Sequence, residues 1–177
     1  IVECGGAAYT DAGATANDTC SGNLTSSIVT TNPVNVSTPD AYTVRYNVSD
    51  TADNDAVEVT RTVTVEDTTA PVITLTGSAA ITVQSGTTYT DAGATAADTC
   101  EGDLTASIVV TNPVNTAVPG TYTVRYNVSD SASNAASEVT RTVNVTDTVP
   151  PVITLLGTSP VVVECGAAYT DAGATAA

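Results

Sequence analysis

Residues 122–128 read Tyr-Thr-Val-Arg-Tyr-Asn-Val, so tyrosine and valine alternate with polar side chains. Successive side chains of an extended chain point to opposite faces, and this alternation therefore predicts a half-buried β-strand. The polar stretch 129–136 predicts a turn, and the alternating stretch 138–145 predicts the hairpin partner of that strand. Further short strands are predicted at 71–75, 80–83 and 107–111.

The same seven residues recur at 42–48, and the motif Tyr-Thr-Asp-Ala-Gly-Ala-Thr-Ala begins at Tyr9, Tyr89 and Tyr169, which gives a period of 80 residues. A constant period of this length, with several short strands in each unit, indicates a string of small domains rather than a solenoid. We predict an all-β fold of tandem Ig-like β-sandwich modules, each of about 80 residues, in a linear array.

The repeat also predicts the boundaries of the modules. Residues 1–66 are expected to form an Ig-like module that lacks its first strand, 67–146 a complete Ig-like module, and 147–177 the N-terminal part of a third module. Because the chain begins and ends in the same phase of the repeat, we expect a window from a longer array. The alternative is a self-assembling filament, in which a strand of one copy fills the open first module of the next by strand exchange. The candidate residues for this exchange are Val152, Ile153 and Leu155.

Four motifs in a fixed order carry a family resemblance. They are Asp67-Thr-Thr-Ala-Pro-Val-Ile-Thr-Leu, Tyr89-Thr-Asp-Ala-Gly-Ala-Thr-Ala, Gly102-Asp-Leu-Thr and Pro119-Gly-Thr-Tyr-Thr-Val-Arg-Tyr-Asn-Val-Ser-Asp. The whole chain resembles the bacterial Ig-like repeat of insecticidal crystal toxins and large surface adhesins, and more distantly the hyalin repeat. The resemblance implies an Ig-like fold and a role as spacer, stalk or adhesive arm, although fold alone does not define function.

Composition restricts the classes of function. The net charge is -15, with four basic and nineteen acidic residues, which disfavours nucleic acid and anionic lipid as partners. Histidine and lysine are absent, so the usual proton shuttles and amine nucleophiles are missing and we expect no enzyme. No apolar run long enough to cross a bilayer and no secretory leader is visible, so we expect an interior piece of a mature extracellular or cell-surface protein without membrane insertion.

Three functional classes remain to be compared. A structural spacer or fibre segment would contact neighbouring modules or copies of itself. An adhesive module would use exposed loops such as 30–39 to bind a cell-surface or matrix ligand. The loop sequence Thr-Asn-Pro-Val-Asn is identical at 31–35 and 111–115, which favours the spacer, because a binding module would vary its loops. Glycoside hydrolysis by a carboxylate pair such as Asp98 and Asp103 has no support beyond the abundance of acids.

Cysteine usage indicates an oxidising compartment. Cys4 and Cys20 lie in one repeat, and we expect them to close a short disulfide loop that contributes roughly 3 kcal/mol. Cys165 repeats the position of Cys4, and its partner is expected beyond the last residue of the chain. Cys100 lacks a mate because Gln84 and Ser85 occupy the place where that mate should lie, so it is expected to be either a buried inert thiol or an intermolecular cross-link.

Acidic residues at the junctions and on one loop are candidate calcium ligands. Calcium takes about six to eight oxygen ligands, and extracellular modules bind it weakly. The alternative is a solvated acidic surface, and no EF-hand spacing is present. The candidate ligands are Asp67, Asp98, Asp103 and Asp147.

Tyr42 and Tyr122 open the penultimate strand of their units, where a tyrosine corner would lie, although both could simply be large core side chains. Arg61 and Arg141 fall in the same alternation phase as core valines. Either a bulge resets the phase there, or each guanidinium meets a buried carboxylate.

Six Asn-x-Ser/Thr sequons are candidate glycosylation sites, although a chain this rich in Ser and Thr contains many by chance. They are Asn17, Asn23, Asn35, Asn47, Asn127 and Asn144.

Overall fold

The computed structural model describes residues 1–177, and its regular elements are β-strands apart from two short 3₁₀ turns at Thr25–Ser27 and Thr105–Ser107. The chain forms no helix with the length and apolarity needed to cross a membrane. The first six strands are β1 (Val2–Glu3), β2 (Asn17–Asp18), β3 (Gly22–Asn23), β4 (Val29–Thr31), β5 (Asp40–Asn47) and β6 (Val59–Glu66). The next seven are β7 (Val72–Leu75), β8 (Ala80–Gln84), β9 (Ala94–Asp98), β10 (Gly102–Asp103), β11 (Val109–Thr111), β12 (Gly120–Asn127) and β13 (Val139–Thr146). The last two are β14 (Ile153–Leu155) and β15 (Ala174–Ala176).

Strands β7 to β13 form a complete two-sheet sandwich, which we call the second module. One sheet has the order β11-β12-β13-β8 and the other the order β10-β9-β7. Neighbouring strands are antiparallel except β13 and β8, which run parallel. This architecture confirms the predicted all-β, Ig-like class.

The core of the second module lies between its two sheets. Val124 and Tyr126 on β12 and Val143 on β13 are fully buried, and they pack in one cluster with Ile73 of β7 and Ala96 of β9. The alternation from which the fold was predicted therefore does separate buried from exposed side chains.

The first module, β1 to β6, repeats the larger sheet but not the smaller one. The larger sheet has the order β1-β6-β5-β4, whereas the second sheet consists only of β2 and β3. No strand takes the place that β7 occupies in the second module, and the buried cluster shrinks to Val44, Tyr46 and Val63. The third part of the chain contributes only the antiparallel pair of β14 and β15.

The first module holds one more residue than the second before its Tyr-Thr-Asp motif. Glu3 lies opposite Glu66 in the β1–β6 pair, and Gln84 lies opposite Thr146 in the β8–β13 pair. Since residues 66 and 146 are one repeat apart, Glu3 corresponds to Gln84. Cys4 therefore corresponds structurally to Ser85 and, by its Glu-Cys-Gly context, to Cys165.

The tyrosine corner is confirmed in both modules. The hydroxyl of Tyr122 donates to the carbonyl of Val118 at 2.8 Å, and that of Tyr42 donates to the carbonyl of Thr38 at 2.9 Å. Each bond closes the turn that leads into the long central strand, as in other Ig-like sandwiches.

One strand was missed and one strand boundary was wrong. β9 was not predicted as a strand, because alanine and threonine in Ala94–Asp98 give no clear apolar alternation. The strand predicted to begin at 107 instead begins at Val109, because the preceding residues form a 3₁₀ turn.

Candidate functional site

Arg141 on β13 lies in the core of the second module with only 1% of its side chain exposed. It pairs with Val124 in an unbroken register, so no bulge resets the strand. Its guanidinium forms an ion pair with Asp91, which confirms the second of the two alternatives for this residue. The remaining acceptors are the carbonyls of Thr76, Ser78 and Gly93 and the hydroxyl of Tyr126.

The repeated Tyr-Thr-Asp-Ala-Gly motif supplies Asp91. Its carboxylate accepts hydrogen bonds from the hydroxyls of Tyr89 (2.6 Å) and Tyr126 (2.5 Å) and from the N–H of Gly93 (3.1 Å). Burial acts to raise the pKa of Asp91, but hydrogen bonds from Tyr126, Tyr89 and Arg141 outweigh it and hold the pKa below its usual value. We call Tyr89, Asp91, Tyr126 and Arg141 the arginine network.

The arginine network occurs in three degrees of completion. In the first module Asp11 accepts from Tyr9 and Tyr46 and pairs with Arg61, but this arginine side chain is 37% exposed because no counterpart of β7 covers it. In the third part only the bond from Tyr169 to Asp171 (3.0 Å) remains. Asp91 contacts both tyrosines and Arg141, so the network joins the two sheets of the second module.

The disulfide joins Cys4 to Cys100, with Cα atoms 5.2 Å apart, and so links the first module to the second. The predicted Cys4 to Cys20 bond is therefore wrong, and so are both predicted states of Cys100, as a free thiol and as an intermolecular cross-link. Cys20 and Cys165 are free and exposed.

Strand topology explains the error. Cys4 hydrogen-bonds to Glu66 at the end of β6, beside the start of β5. Cys20 lies in the turn next to Ser21, whose hydroxyl contacts that of Thr51 beyond the other end of β5. β5 has eight residues, and at roughly 3.3 Å per residue it separates the two cysteines by about 25 Å. Cys100 occupies the matching turn of the next module, which faces Cys4.

Close backbone packing surrounds the disulfide. Gly5 has a φ of +68°, and a Cβ atom at this position would lie 2.3 Å from the carbonyl oxygen of Thr99. Only glycine fits both the left-handed backbone and this approach. Its counterpart Gly86 has a φ of +80° but no neighbour within 4 Å of such a Cβ atom.

Glu3 fastens the linker that follows the first module. Its carboxylate accepts from the N–H and hydroxyl of Thr68 (2.9 and 2.7 Å) and from the hydroxyl of Thr69 (2.7 Å). These bonds, those from Thr68 first, lower the pKa of Glu3 to about 2. At the next junction the neutral counterpart Gln84 accepts equivalent bonds from Thr148.

Three carboxylates of the second module meet beside the disulfide. One oxygen from each of Asp67, Glu101 and Asp130 lies within 4.8 Å of the other two. Asp98 neighbours this cluster, since its Oδ1 accepts the N–H of Glu101 at 3.0 Å. The other two predicted ligands lie elsewhere: Asp103 accepts from the N–H of Thr105, and Asp147 lies at the next junction. Glu101 lies on the predicted acidic loop but was not among the four candidate ligands, and Asp130 was missed, because neither position could be placed near Asp67 without the topology.

The open side of the first module forms a groove of about 470 Å³, lined by residues 14–18, Leu24, Ile28, Tyr46 and residues near Val57. The strand-exchange candidates Val152, Ile153 and Leu155 are 67%, 72% and 67% exposed. In the second module the matching Ile73 is only 8% exposed. Five of the six sequon asparagines are exposed, and Asn144 is half-buried.

A family model described as "Bacterial surface protein, Ig-like domain" matches residues 2–65 and 73–145, one match in each of the first two modules. The chain belongs to this family. It is therefore a bacterial surface-type Ig-like module pair, of a class that is typically non-enzymatic.

One solved structure with local similarity is a lipoprotein from Bacteroides thetaiotaomicron, at 26% identity and a TM-score of 0.40. The match covers 45% of this chain and 39% of the lipoprotein, so the chain spans well under half of that protein. No curated protein sequence matches the chain.

The arginine network predicts that the two modules lose different amounts of stability when its aspartate is replaced. Asp91→Asn leaves the buried guanidinium of Arg141 without its counter-charge and should cost about 3 kcal/mol of unfolding free energy. The matched change Asp11→Asn should lower the unfolding free energy clearly less, because water reaches Arg61. Urea unfolding followed by tyrosine fluorescence measures both losses. Equal losses would show that burial of the arginine does not set the strength of the network.

The lowered pKa of Glu3 predicts that the stability contributed by the junction depends on pH. Its pKa falls from 4.5 to about 2 on folding, so its contribution is complete above pH 4.5 and disappears as pH falls toward 2. Glu3→Gln copies Gln84 and should remove this part of the pH dependence. We therefore expect the difference in unfolding free energy between native protein and Glu3→Gln to shrink between pH 5 and pH ~2. A difference that stays constant over this range would contradict the assignment.

Proposed function

We propose that the chain is a stiff section of an extracellular stalk or fibre of Ig-like beads and has no enzymatic activity. The observation that carries this proposal is the Cys4–Cys100 disulfide between adjacent modules. Modules joined by one flexible linker normally move relative to each other. A second covalent connection beside the linker restricts that hinge, which is a property useful in a spacer.

Three further contacts act at the same junction. The linker between Glu66 and Val72 is short, and Glu3 binds two of its threonines. Asn134 of the second module donates to the carbonyl of Asp67 at 3.1 Å. Gly5 packs directly on Thr99. A disulfide that closes a separation of 96 residues also stabilises the folded pair by an amount on the order of 4–5 kcal/mol in the chain-entropy model.

An adhesive role receives less support from the loops. The loop sequence at 31–35 is exposed except for the half-buried Val34 and is repeated at 111–115, so the two modules present the same surface there. The partners that we propose are therefore neighbouring modules of the same array or copies of this chain, rather than a specific ligand held by one loop.

A self-assembling filament subunit is a second candidate, favoured by the open groove of the first module. Residues 151–155 have the sequence Pro-Val-Ile-Thr-Leu, identical to 71–75, which supplies β7 of the second module. β7 pairs with β9 from Val72 opposite Ala97 to Leu75 opposite Ala94. The same register would place the exchanged strand of one copy along residues 14–17 of another.

The spacer proposal predicts a fixed angle between modules. Spin labels on the free Cys20 of the first module and on the exposed Ser137→Cys of the second, in a Cys165→Ser background, should give a narrow distance distribution in the oxidised protein. Cys4→Ser/Cys100→Ser should broaden it, because the linker then becomes the only covalent connection. Gly5→Ala should also broaden it by displacing Thr99, whereas Gly86→Ala adds the same left-handed strain without a clash and should not. A broad distribution in the oxidised native protein would overturn the proposal.

The filament candidate predicts a new cross-link. If β14 of one copy fills the first module of the next, Ser85 of the first copy should face Cys20 of the second, as Cys4 faces Cys100. Under oxidising conditions Ser85→Cys should then yield a ladder of covalent oligomers on a non-reducing gel. Ser85→Cys/Cys20→Ser is the matched control, and it should not form this ladder of covalent oligomers. A monomer band alone for Ser85→Cys would rule out strand exchange in this register.

A further inference from the structure

We propose that Asp67, Glu101 and Asp130 bind one calcium ion beside the buried carboxylate of Asp98, at the junction between the first and second modules. The proposal adds a ligand to the spacer function but does not depend on it, because cation binding can be measured separately from stiffness.

The three ligands that lie closest together come from separate parts of the second module. Asp67 lies in the linker before β7, Glu101 in the turn between β9 and β10, and Asp130 in the turn after β12. One carboxylate oxygen of each lies within 4.8 Å of the others, a spacing that allows all three to contact one ion. All four ion pairs of the chain lie elsewhere, so no arginine neutralises these carboxylates.

Buried oxygens without partners indicate that a cation belongs here. Asp98 is only 8% exposed, and while its Oδ1 accepts the N–H groups of Cys100 and Glu101, its Oδ2 is buried without a hydrogen-bond partner. Oδ2 of Asp67 is also buried without a partner. Leaving a buried carboxylate oxygen unsatisfied is costly, and native structures rarely do so without an ion or water.

Electrostatics agree with the geometry. Burial raises the pKa of Asp67, and the nearby charges of Asp98 and Asp130 raise it further. A divalent cation would reverse both effects, because it replaces the lost hydration and neutralises the repulsion.

The donor set selects a hard cation. Every candidate ligand is a carboxylate oxygen, the type that calcium and magnesium prefer. Calcium accepts irregular sets of about six to eight oxygens, so water can complete the coordination. An open cleft of about 320 Å³, lined by Asp67, Glu101 and residues 37–39 of the first module, gives the ion and its water access from solvent.

The first module contains an incomplete copy of the site. Asp18 and Asp50 match Asp98 and Asp130, but Ser21 replaces Glu101 and its hydroxyl bonds to Thr51 at 3.1 Å. No residue of this chain corresponds to Asp67 there. The two modules thus provide a matched pair of sites with four acids and with two.

Isothermal titration of the oxidised, metal-free chain with calcium chloride tests the assignment. We expect one saturable calcium site per chain with a Kd of roughly 0.1–1 mM, and weaker binding of magnesium. Glu101→Ser, which copies Ser21, and Asp98→Asn/Asp130→Asn should each weaken calcium binding by at least about tenfold, since affinity follows the number of charged ligands. Asp18→Asn/Asp50→Asn should leave it unchanged.

Glu101→Ser keeps the test decisive even if the double variant fails to fold, because serine is already accommodated at the equivalent turn. Absence of saturable calcium binding, equal affinity for magnesium, or unchanged binding in Glu101→Ser would each overturn the proposal. Spin-label distances measured in the presence of a calcium chelator separate the spacer proposal from the calcium proposal. A narrow distance distribution without calcium supports the spacer even if no ion binds.

Discussion

The close contact of Cys4 and Gly5 in the first module with the turn at Thr99 and Cys100 in the second is the constraint on which the stiff junction depends. Cys4 and Gly5 lie where the first module ends, and Thr99 and Cys100 lie in the turn that receives them. A side chain on Gly5 would separate these surfaces. The disulfide and the bonds of Glu3 to the linker depend on this approach, and the acidic cluster lies beside it, so the junction, rather than either sandwich alone, is the distinctive part of the molecule.

Inside each module the arginine network performs a comparable task between sheets. A buried ion pair contributes little net stability compared with a well-packed apolar core, but breaking one is costly. Arg141 binds carbonyls beyond the end of β7 as well as Asp91, so it joins β13 to the smaller sheet. The motif Tyr-Thr-Asp-Ala-Gly recurs unchanged, and its tyrosine, aspartate and glycine all take part in the network.

The sequence was sufficient for features that depend on local order. Alternation at 122–128 predicted the buried face of β12, and the position of Tyr122 predicted its bond back to the preceding loop. Features that depend on topology could not be read in this way. Cys4 and Cys20 are close in the chain but lie at opposite ends of the sheet, and Asp67 and Asp130 meet only because the sandwich brings a linker and a distant turn together. Asp103 and Asp147, which lie outside the cluster, looked equally suitable in the sequence.

The most direct test of the account is disulfide mapping of the unreduced protein after trypsin digestion. The four arginines divide the chain into fragments that include 1–45, which contains Cys4 and Cys20, and 62–125, which contains Cys100. The account predicts that these two fragments stay joined by one disulfide and that Cys20 remains a free thiol. Release of 62–125 with a free Cys100, together with an internal disulfide in 1–45, would contradict it and return the two modules to a flexible connection.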